Sequence, residues 1–350
     1  MYVVLQTSFL GDMILTTPLI ARLAERGAVD VVATPANAGL LANHPAVRQV
    51  LIFDKRGADA GLSGLWRMAA RLRECNAKVA YMAQGSLRTA ALARLAGIPE
   101  RIGFATSPGR VLYTSRVPFR RELHHAQRLW QLGSPIDDAS APTVRPSLFP
   151  GVVDRAQVDA LLQANGVAAG EPLIALAPGS VWATKRWPSF DALAARLAND
   201  AIFSTYRVVV LGAASDGPLA SALIDALRAT GVTSAIDATG RLSLLGSAAL
   251  LSRVNVLVTN DSAPLHLASA MNTPTVALFG PTLPAFGFGS LATLHVVVEQ
   301  TGLVCRPCGA HGPQRCPLGH WKCMRETTPE LVVAGVRDVV IGAATVDRGR

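Results

Sequence analysis

The sequence has little charge and few aromatic rings. Charged residues make up 16% of its 350 positions and aromatic residues 5%, against 50% hydrophobic. That balance excludes a disordered chain or a coiled coil. Glycine (30) and proline (22) are near ordinary usage, so collagen-like and linker-like chains are excluded as well. No stretch reaches the ~20 unbroken apolar residues of a membrane span. The sequence has no G-x-G-x-x-G, no Walker A loop and no D-x-D triplet. A nicotinamide fold, a P-loop NTPase and a metal-dependent single-domain sugar transferase all lose ground. The opening Met1-Tyr2-Val3-Val4-Leu5 has no basic segment before it, and Asp12 interrupts the apolar run. A secretory signal is not expected, and the chain reads as cytoplasmic.

The charge that is present is unevenly placed. The formal charge is +9, with 29 arginines against 4 lysines. Residues 1–150 hold 18 Lys and Arg against 10 Asp and Glu, whereas residues 151–350 hold 15 against 14. The first half therefore carries nearly all of the positive field. Either this is a basic solvated surface, or this half meets an anion: nucleic acid, a lipid headgroup surface or a phosphorylated substrate.

Short apolar runs alternate with helical periodicity throughout. In the first half the runs Tyr2–Gln6, Val29–Thr34, Val50–Phe53, Val79–Met82 and Arg101–Phe104 predict strands. Helical patterns fall at Met13–Arg26, with a kink expected at Pro18, and at Leu62–Glu74, Leu87–Leu95 and Leu123–Leu132. Ser134–Pro150, with four prolines, is the best linker. The second half restarts the pattern, with strands predicted at Leu173–Ala177, Tyr206–Leu211, Asn255–Thr259 and Thr275–Phe279. Helices are predicted near Val152–Asn165, Phe190–Leu197, Leu219–Arg228 and Ala263–Ala270. This is an α/β chain with two parallel-sheet domains and a cleft expected between them. The domains are 1–150 and 151–328, the latter with a Cys-rich loop at 303–324. A last helix in 329–350 packs on either domain, a return to the first being one expectation.

Ligands of open α/β sheets sit at the carboxyl ends of strands, so three loops stand out. Asp12, after Thr7-Ser8-Phe9-Leu10-Gly11, occupies an N-cap position; it is either a capping carboxylate or one able to accept a proton. The loop Pro178–Pro188 holds two tryptophans and the adjacent cations Lys185 and Arg186. Ser180 and Lys185 there either hold phosphate oxygens or are ordinary loop residues. Asn260-Asp261-Ser262-Ala263-Pro264-Leu265-His266 opens a helix whose N–H groups and dipole suit an anion. Its bland alternative is a cap plus a packed imidazole.

Taken together these loops resemble family 9 of the glycosyltransferases, the ADP-heptose:lipopolysaccharide heptosyltransferases. The matching stretches are Ser8–Asp12 with Thr16-Thr17-Pro18, Gln84–Arg88, Arg101–Phe104, Pro178–Pro188, Asn260–His266 and Leu278–Thr282, colinear over nearly the whole chain. Lys185-Arg186-Trp187-Pro188 and Cys316-Pro317-Leu318-Gly319-His320 look most like the heptosyltransferase II branch. The resemblance implies a GT-B fold, two Rossmann-like domains, and inversion at the anomeric carbon with no cofactor required for catalysis. It implies Asp12 as general base and Ser180, Lys185, Asp216, Asp261, Ser262 and His266 as donor contacts. Ala263 departs from the glycine common at its position. The implied partners are ADP-heptose and the Kdo/heptose inner core on lipid A, with Arg88 the preferred acceptor-side cation. The implied location is the inner face of the cytoplasmic membrane, with peripheral contact to its anionic surface.

Cys305, Cys308, Cys316 and Cys323 fall within nineteen residues. In a cytoplasmic chain they read either as a structural zinc or iron site or as reduced thiols packing a long loop. Two rival functions remain open: a same-family enzyme with a protein or outer-core sugar acceptor, and a non-enzymatic nucleic-acid-binding metal knuckle. Nucleic acid is not the expected partner, because the positive charge and the cysteines lie in different halves.

Overall fold

The apolar runs become the central strands of two parallel sheets. A computed structural model describes residues 1–135 and 142–347, and divides the chain into Met1–Phe149 and Pro150–Arg350. The first unit runs β1 (Tyr2–Gln6), α1 (Leu10–Ala24), β2 (Val29–Ala33), α2 (Pro35–Ala38), β3 (Gln49–Ile52) and α3 (Gly61–Glu74). It continues with β4 (Val79–Met82), α4 (Leu87–Leu95), β5 (Glu100–Phe104), β6 (Ser115–Val117) and α5 (His125–Gln131). Its sheet order is β3-β2-β1-β4-β5-β6, all pairs parallel.

The second unit runs α6 (Val152–Ala164), β7 (Leu173–Ala177), α7 (Phe190–Ala198), β8 (Arg207–Val210), α8 (Gly217–Ala229), β9 (Ile236–Asp237) and α9 (Leu244–Leu251). There follow β10 (Val256–Asn260), α10 (Ala263–Met271), β11 (Thr275–Phe279), β12 (His295–Glu299), α11 (Lys322–Arg325) and α12 (Pro329–Asp347). Its order, β12-β11-β10-β7-β8-β9, is that of the first unit read from the other edge. Both are doubly wound Rossmann sheets whose strand order reverses between the first and fourth strands. Although no repeat shows in the sequence, the two switch points correspond: β1 beside β4, and β7 beside β10.

Strands β2, β7, β10 and β11 are buried along their whole length. Helices on both faces explain why these strands read as unbroken apolar runs. Val3, Leu5, Phe53, Met68 and Leu72 lie in the first core, and Leu176, Phe190, Phe203 and Val258 in the second. Val332, Val336 and Val339 of α12 join the second core, with α12 against α7, β11 and β12. The last helix thus packs on the second unit.

One local expectation is corrected. Helix α1 starts at Leu10 with Phe9 at the N-cap, so Asp12 lies in the first turn and is not the cap. The helix also runs on through Pro18. Proline cannot donate to the carbonyl four residues back, and the Thr17 hydroxyl donates to that carbonyl, on Ile14, at 2.8 Å. The same hydroxyl accepts from Ser147 N at 3.0 Å. Ser147 falls in the expected linker, of which residues 136–141 lie outside the described residues.

Candidate active site

At the first switch point, Asp12 is held by its own loop. Ser8 Oγ lies 2.5 Å from Asp12 Oδ2 and 2.7 Å from Gln6 Oε1, so its single proton serves one of them at a time. Gln6 is oriented by donating to Thr16 Oγ1 at 3.1 Å. His125, opening α5, brings Nε2 to 3.8 Å from Asp12 Oδ1, and the Asp12 side chain stays 20% exposed. A part-exposed carboxylate can accept a proton from a hydroxyl brought to it. The loop is tied down by Thr7, whose hydroxyl donates to Gln84 Oε1 on the β4 side at 3.1 Å. Lys55 Nζ donates to Thr7 O at 2.6 Å. Burial, and then the neighbouring Arg56 and Arg88, push the Lys55 ammonium below its ordinary pKa.

Arg88 is held by backbone carbonyls. It donates to the carbonyls of Lys55 (3.2 Å), Asp59 (2.8 Å) and Gly61 (3.3 Å), and its guanidinium lies 5.1 Å from the Phe53 ring centroid. It fixes the loop that carries Lys55 and Arg56.

The second switch point is a network of charge. Lys185 Nζ meets Asp261 Oδ2 at 2.6 Å, both side chains under 10% exposed. Thr282 Oγ1 donates to the same oxygen at 2.7 Å. Asn260, the last residue of β10, accepts from Trp187 N at 3.1 Å and donates to Pro178 O at 2.8 Å, stitching the 178–188 loop to its neighbour. Ser180 is buried, its Oγ accepting from Trp182 N at 3.3 Å. Asp216 accepts from Ala213 N at 2.9 Å and stands against Gly179, where a Cβ would meet its carboxyl carbon at 2.4 Å. Glycine is therefore required at 179 so that the two loops can approach. Ser262 is the N-cap of α10 but makes no capping bond, and its buried Oγ has no protein partner. A hydroxyl beside a helix N-terminus can give its proton to an anion. His266 is buried one turn further on, edge-on to Phe288.

The Cys-rich segment braces this network. Trp321 Nε1 donates to Thr184 O at 2.8 Å, and Gln314 bonds Ala183 N and Val181 O at 3.0 Å each. Trp182 stacks on His311, and Cys308 N donates to Pro281 O at 2.8 Å. Arg306, nearly buried, reaches Glu299 at 2.7 Å and Thr282 O at 2.9 Å. All four thiols are free. Burial pushes Cys323 up to about 11, with the thiols of Cys308, Cys316 and Cys305 adding to the shift and Arg306 opposing it. Burial also acts upward on Cys316, but N–H donors from Trp321, Leu318, Gly319 and His320 outweigh it and hold that thiol below its usual value. Among the described residues no three His, Cys, Asp or Glu side chains converge in metal-binding geometry.

Comparison with known proteins places this arrangement in a family. The family described as "Glycosyltransferase family 9 (heptosyltransferase)" matches residues 65–316, more than two thirds of the chain. The chain belongs to glycosyltransferase family 9. "Lipopolysaccharide heptosyltransferase 1" of Pseudomonas aeruginosa is 31% identical over 320 residues, 87% of this chain and 84% of that protein. "Lipopolysaccharide heptosyltransferase 2" of Salmonella typhimurium is 27% identical over 295 residues, 81% and 83% of the two chains. The solved ADP-heptose lps heptosyltransferase II of E. coli superposes with a TM-score of 0.79 at 24% identity, covering 98% of this chain and 99% of that one. This family 9 glycosyltransferase therefore has the GT-B fold, built from the two Rossmann-like sheets described above.

Five residues of the site escape sequence reasoning. His125, Gln84, Lys55, Asn260 and Thr282 act through tertiary contacts. Only Gln84, Asn260 and Thr282 lie in stretches that a motif already marks, and none of the three has a chemistry that spacing alone would assign.

Proposed function

We propose that this glycosyltransferase transfers heptose from ADP-heptose to the inner core of lipopolysaccharide, with inversion and with Asp12 as general base. The observation that carries the reading is the Asp12 carboxylate at the first switch point, hydrogen-bonded to Ser8 and still 20% exposed. The acceptor hydroxyl gives its proton to Asp12 as its oxygen attacks the anomeric carbon on the face opposite ADP. The sugar passes through an oxocarbenium-like state, as in other glycosyl transfers. Charge builds on the departing diphosphate, where Lys185, Ser180, the Ser262 hydroxyl and the N-terminus of α10 supply donors. Asp261 and Thr282 hold the Lys185 ammonium in place. Asp216 is assigned to the ribose and His266 to the donor loop.

The first unit is assigned to the acceptor, a lipid-linked anion, which suits its positive charge. Arg88 is assigned to the acceptor as a cation, and it also holds the loop of Lys55 and Arg56. The membrane contact is peripheral, at the inner face of the cytoplasmic membrane; among the described residues no helix is long and apolar enough to cross a bilayer.

The cysteine segment is assigned a structural zinc or iron on Cys305, Cys308, Cys316 and Cys323. The four backbone donors on Cys316 suit a metal-bound thiolate, and drawing the thiols together would stiffen the brace on the Lys185 loop. Close to one metal per chain after purification without added metal, with donor affinity falling on its removal, is the expected result. Metal-free protein of full affinity would end the assignment.

The deciding assay offers ADP-heptose with defined Kdo-lipid A and mono-heptosylated acceptors. Acceptor-dependent ADP release is expected with one of them. No release with either would overturn the reading, and release only with a protein or outer-core acceptor would move the enzyme elsewhere in its family.

A further inference from the structure

Three neighbouring elements of the first unit leave large apolar side chains in solvent. In α3, Leu62 is 76% and Trp66 58% exposed; Leu87, opening α4, is 53% exposed, and Val111, in the turn 108–112, is 66% exposed. Leu62 and Trp66 are one helical turn apart and so share a face. The elements are locked side by side. Arg88, the residue after Leu87, bonds the carbonyl of Gly61, the residue before Leu62, at 3.3 Å. Gly109 N, two residues before Val111, bonds Gly85 O at 3.1 Å. Helix α4 begins shortly beyond the carboxyl end of β4, the loop 53–60 leads from the carboxyl end of β3 to α3, and Lys55 ties that loop to Thr7 in the Asp12 loop. The apolar group thus lies at the end of the sheet where Asp12 stands.

Its surroundings are basic. Arg56, Arg67, Arg71, Arg73 and Arg110 are exposed on or beside the same elements. The acids of the loop are occupied locally: Asp54 accepts from Gly57 N and Ala58 N, and Asp59 accepts from Asp54 N and lies 3.7 Å from Arg67. Exposed Leu and Trp among arginines, with the acids of the preceding loop engaged and Glu74 at the far end of α3, are complementary to an anionic headgroup layer over an acyl region.

We infer that the N-terminal halves of α3 and α4 and the turn 108–112 form the surface on which this unit seats on an anionic lipid bilayer. Leu62, Trp66, Leu87 and Val111 enter the interface, and the arginines meet phosphate. The purpose rests on the lipid-linked acceptor proposed above, since seating this face would bring a membrane-held hydroxyl to the end of the sheet that carries Asp12. The surface itself rests on exposure and charge alone.

Sedimentation of the full chain with vesicles tests it. The wild-type chain should pellet with phosphatidylglycerol-containing vesicles and far less with pure phosphatidylcholine, and should release as salt rises. The double variant Leu62→Ser/Trp66→Ser should lose about tenfold or more in partitioning with an unchanged Tm. Trp66→Phe keeps the apolar bulk, so it should still pellet while losing the blue-shifted, lipid-quenched part of the fluorescence. Equal pelleting of wild type and double variant, or no preference for anionic lipid, would overturn the inference. So would a wild-type dimer that the double variant abolishes, because the occupant would then be a second copy of the chain. Vesicle binding is read without donor or acceptor, so failure of heptose transfer alone removes the proposed function and leaves this surface standing.

Discussion

The two switch points have the same strand order, and each places an aspartate beyond a carboxyl strand end, yet the aspartates live in different surroundings. Asp12 meets a serine hydroxyl at 2.5 Å and an imidazole at 3.8 Å, with a fifth of its side chain open. Asp261 meets an ammonium at 2.6 Å and a threonine hydroxyl at 2.7 Å, and is buried. A carboxylate beside an ammonium is paired with a fixed cation, whereas one beside a hydroxyl and an imidazole is not. The same topology thus places a part-exposed, hydrogen-bonded carboxylate in one unit and a buried ion pair in the other. The difference comes from the few side chains that reach each aspartate, since the strands are equivalent.

Substitution should separate the two by kind of effect. Asp12→Asn is expected to lower transfer by about 10²–10⁴-fold while donor binding persists. Because Asp12 lies in the first turn of α1 and does not cap it, stability should change by only about 0.5 kcal/mol. Steady-state kinetics together with calorimetric donor binding checks this, and near-normal turnover would return Asp12 to a structural role.

Lys185→Met should act through stability first. It leaves the buried Asp261 carboxylate without its ammonium, at about 3 kcal/mol, and weakens donor binding. Adding Asp261→Asn should recover much of the stability but not the affinity. Urea melts of the single and double variants decide it. If Lys185→Met were as harmless to stability as Asp12→Asn, the contrast between the two switch points would fail.

The smallest effect concerns acid. Burial lowers His44 to about 4, and its Nδ1 accepts from Ala46 N at 3.2 Å, so the folded first unit holds it neutral. The unfolded chain takes up the proton near 6.5, so the contribution of His44 is whole above that pH and erodes as pH falls from 6.5 towards 4. On the order of 1 kcal/mol should be lost by about pH 6. His44→Gln should flatten the fall of Tm over that window. An unchanged slope would mean that acid acts on the molecule elsewhere.

How much of this was legible depends on where a residue's partners lie. Central strands such as Leu173–Ala177 and Thr275–Phe279 are buried on both faces, so they announce themselves as apolar runs. The unforeseen strands β6, β9 and β12 are all sheet edges, short or bordered by polar residues such as Arg116, Asp237, His295 and Glu299. The start of α1 was misplaced because Asp12 is a far better capping residue than Phe9, and preference outweighed the actual boundary. Loop residues with conspicuous chemistry, Lys185 and Asp261, were visible as separate motifs, but their 2.6 Å pairing across seventy-six positions was not. Arg88 stood out as a cation, and only its carbonyl partners showed that it holds a loop. His125 carried no signal, since adjacent histidines at a helix start say nothing of a carboxylate on another helix.

The hydroxyl of Thr17 also bears on how this sequence can change over time. A proline inside α1 is tolerable because that hydroxyl bonds the carbonyl the ring leaves without a donor, and the same oxygen receives Ser147 N from the far end of the unit. Losing Thr17 first would strand a carbonyl and an amide together. Losing Pro18 first would add a helical N–H to the same carbonyl, whose two lone pairs can take both donors. Pro18 can therefore change while Thr17 stays, whereas loss of Thr17 first carries a cost, so change at this pair has a preferred order. In a lineage Thr17 should outlast Pro18.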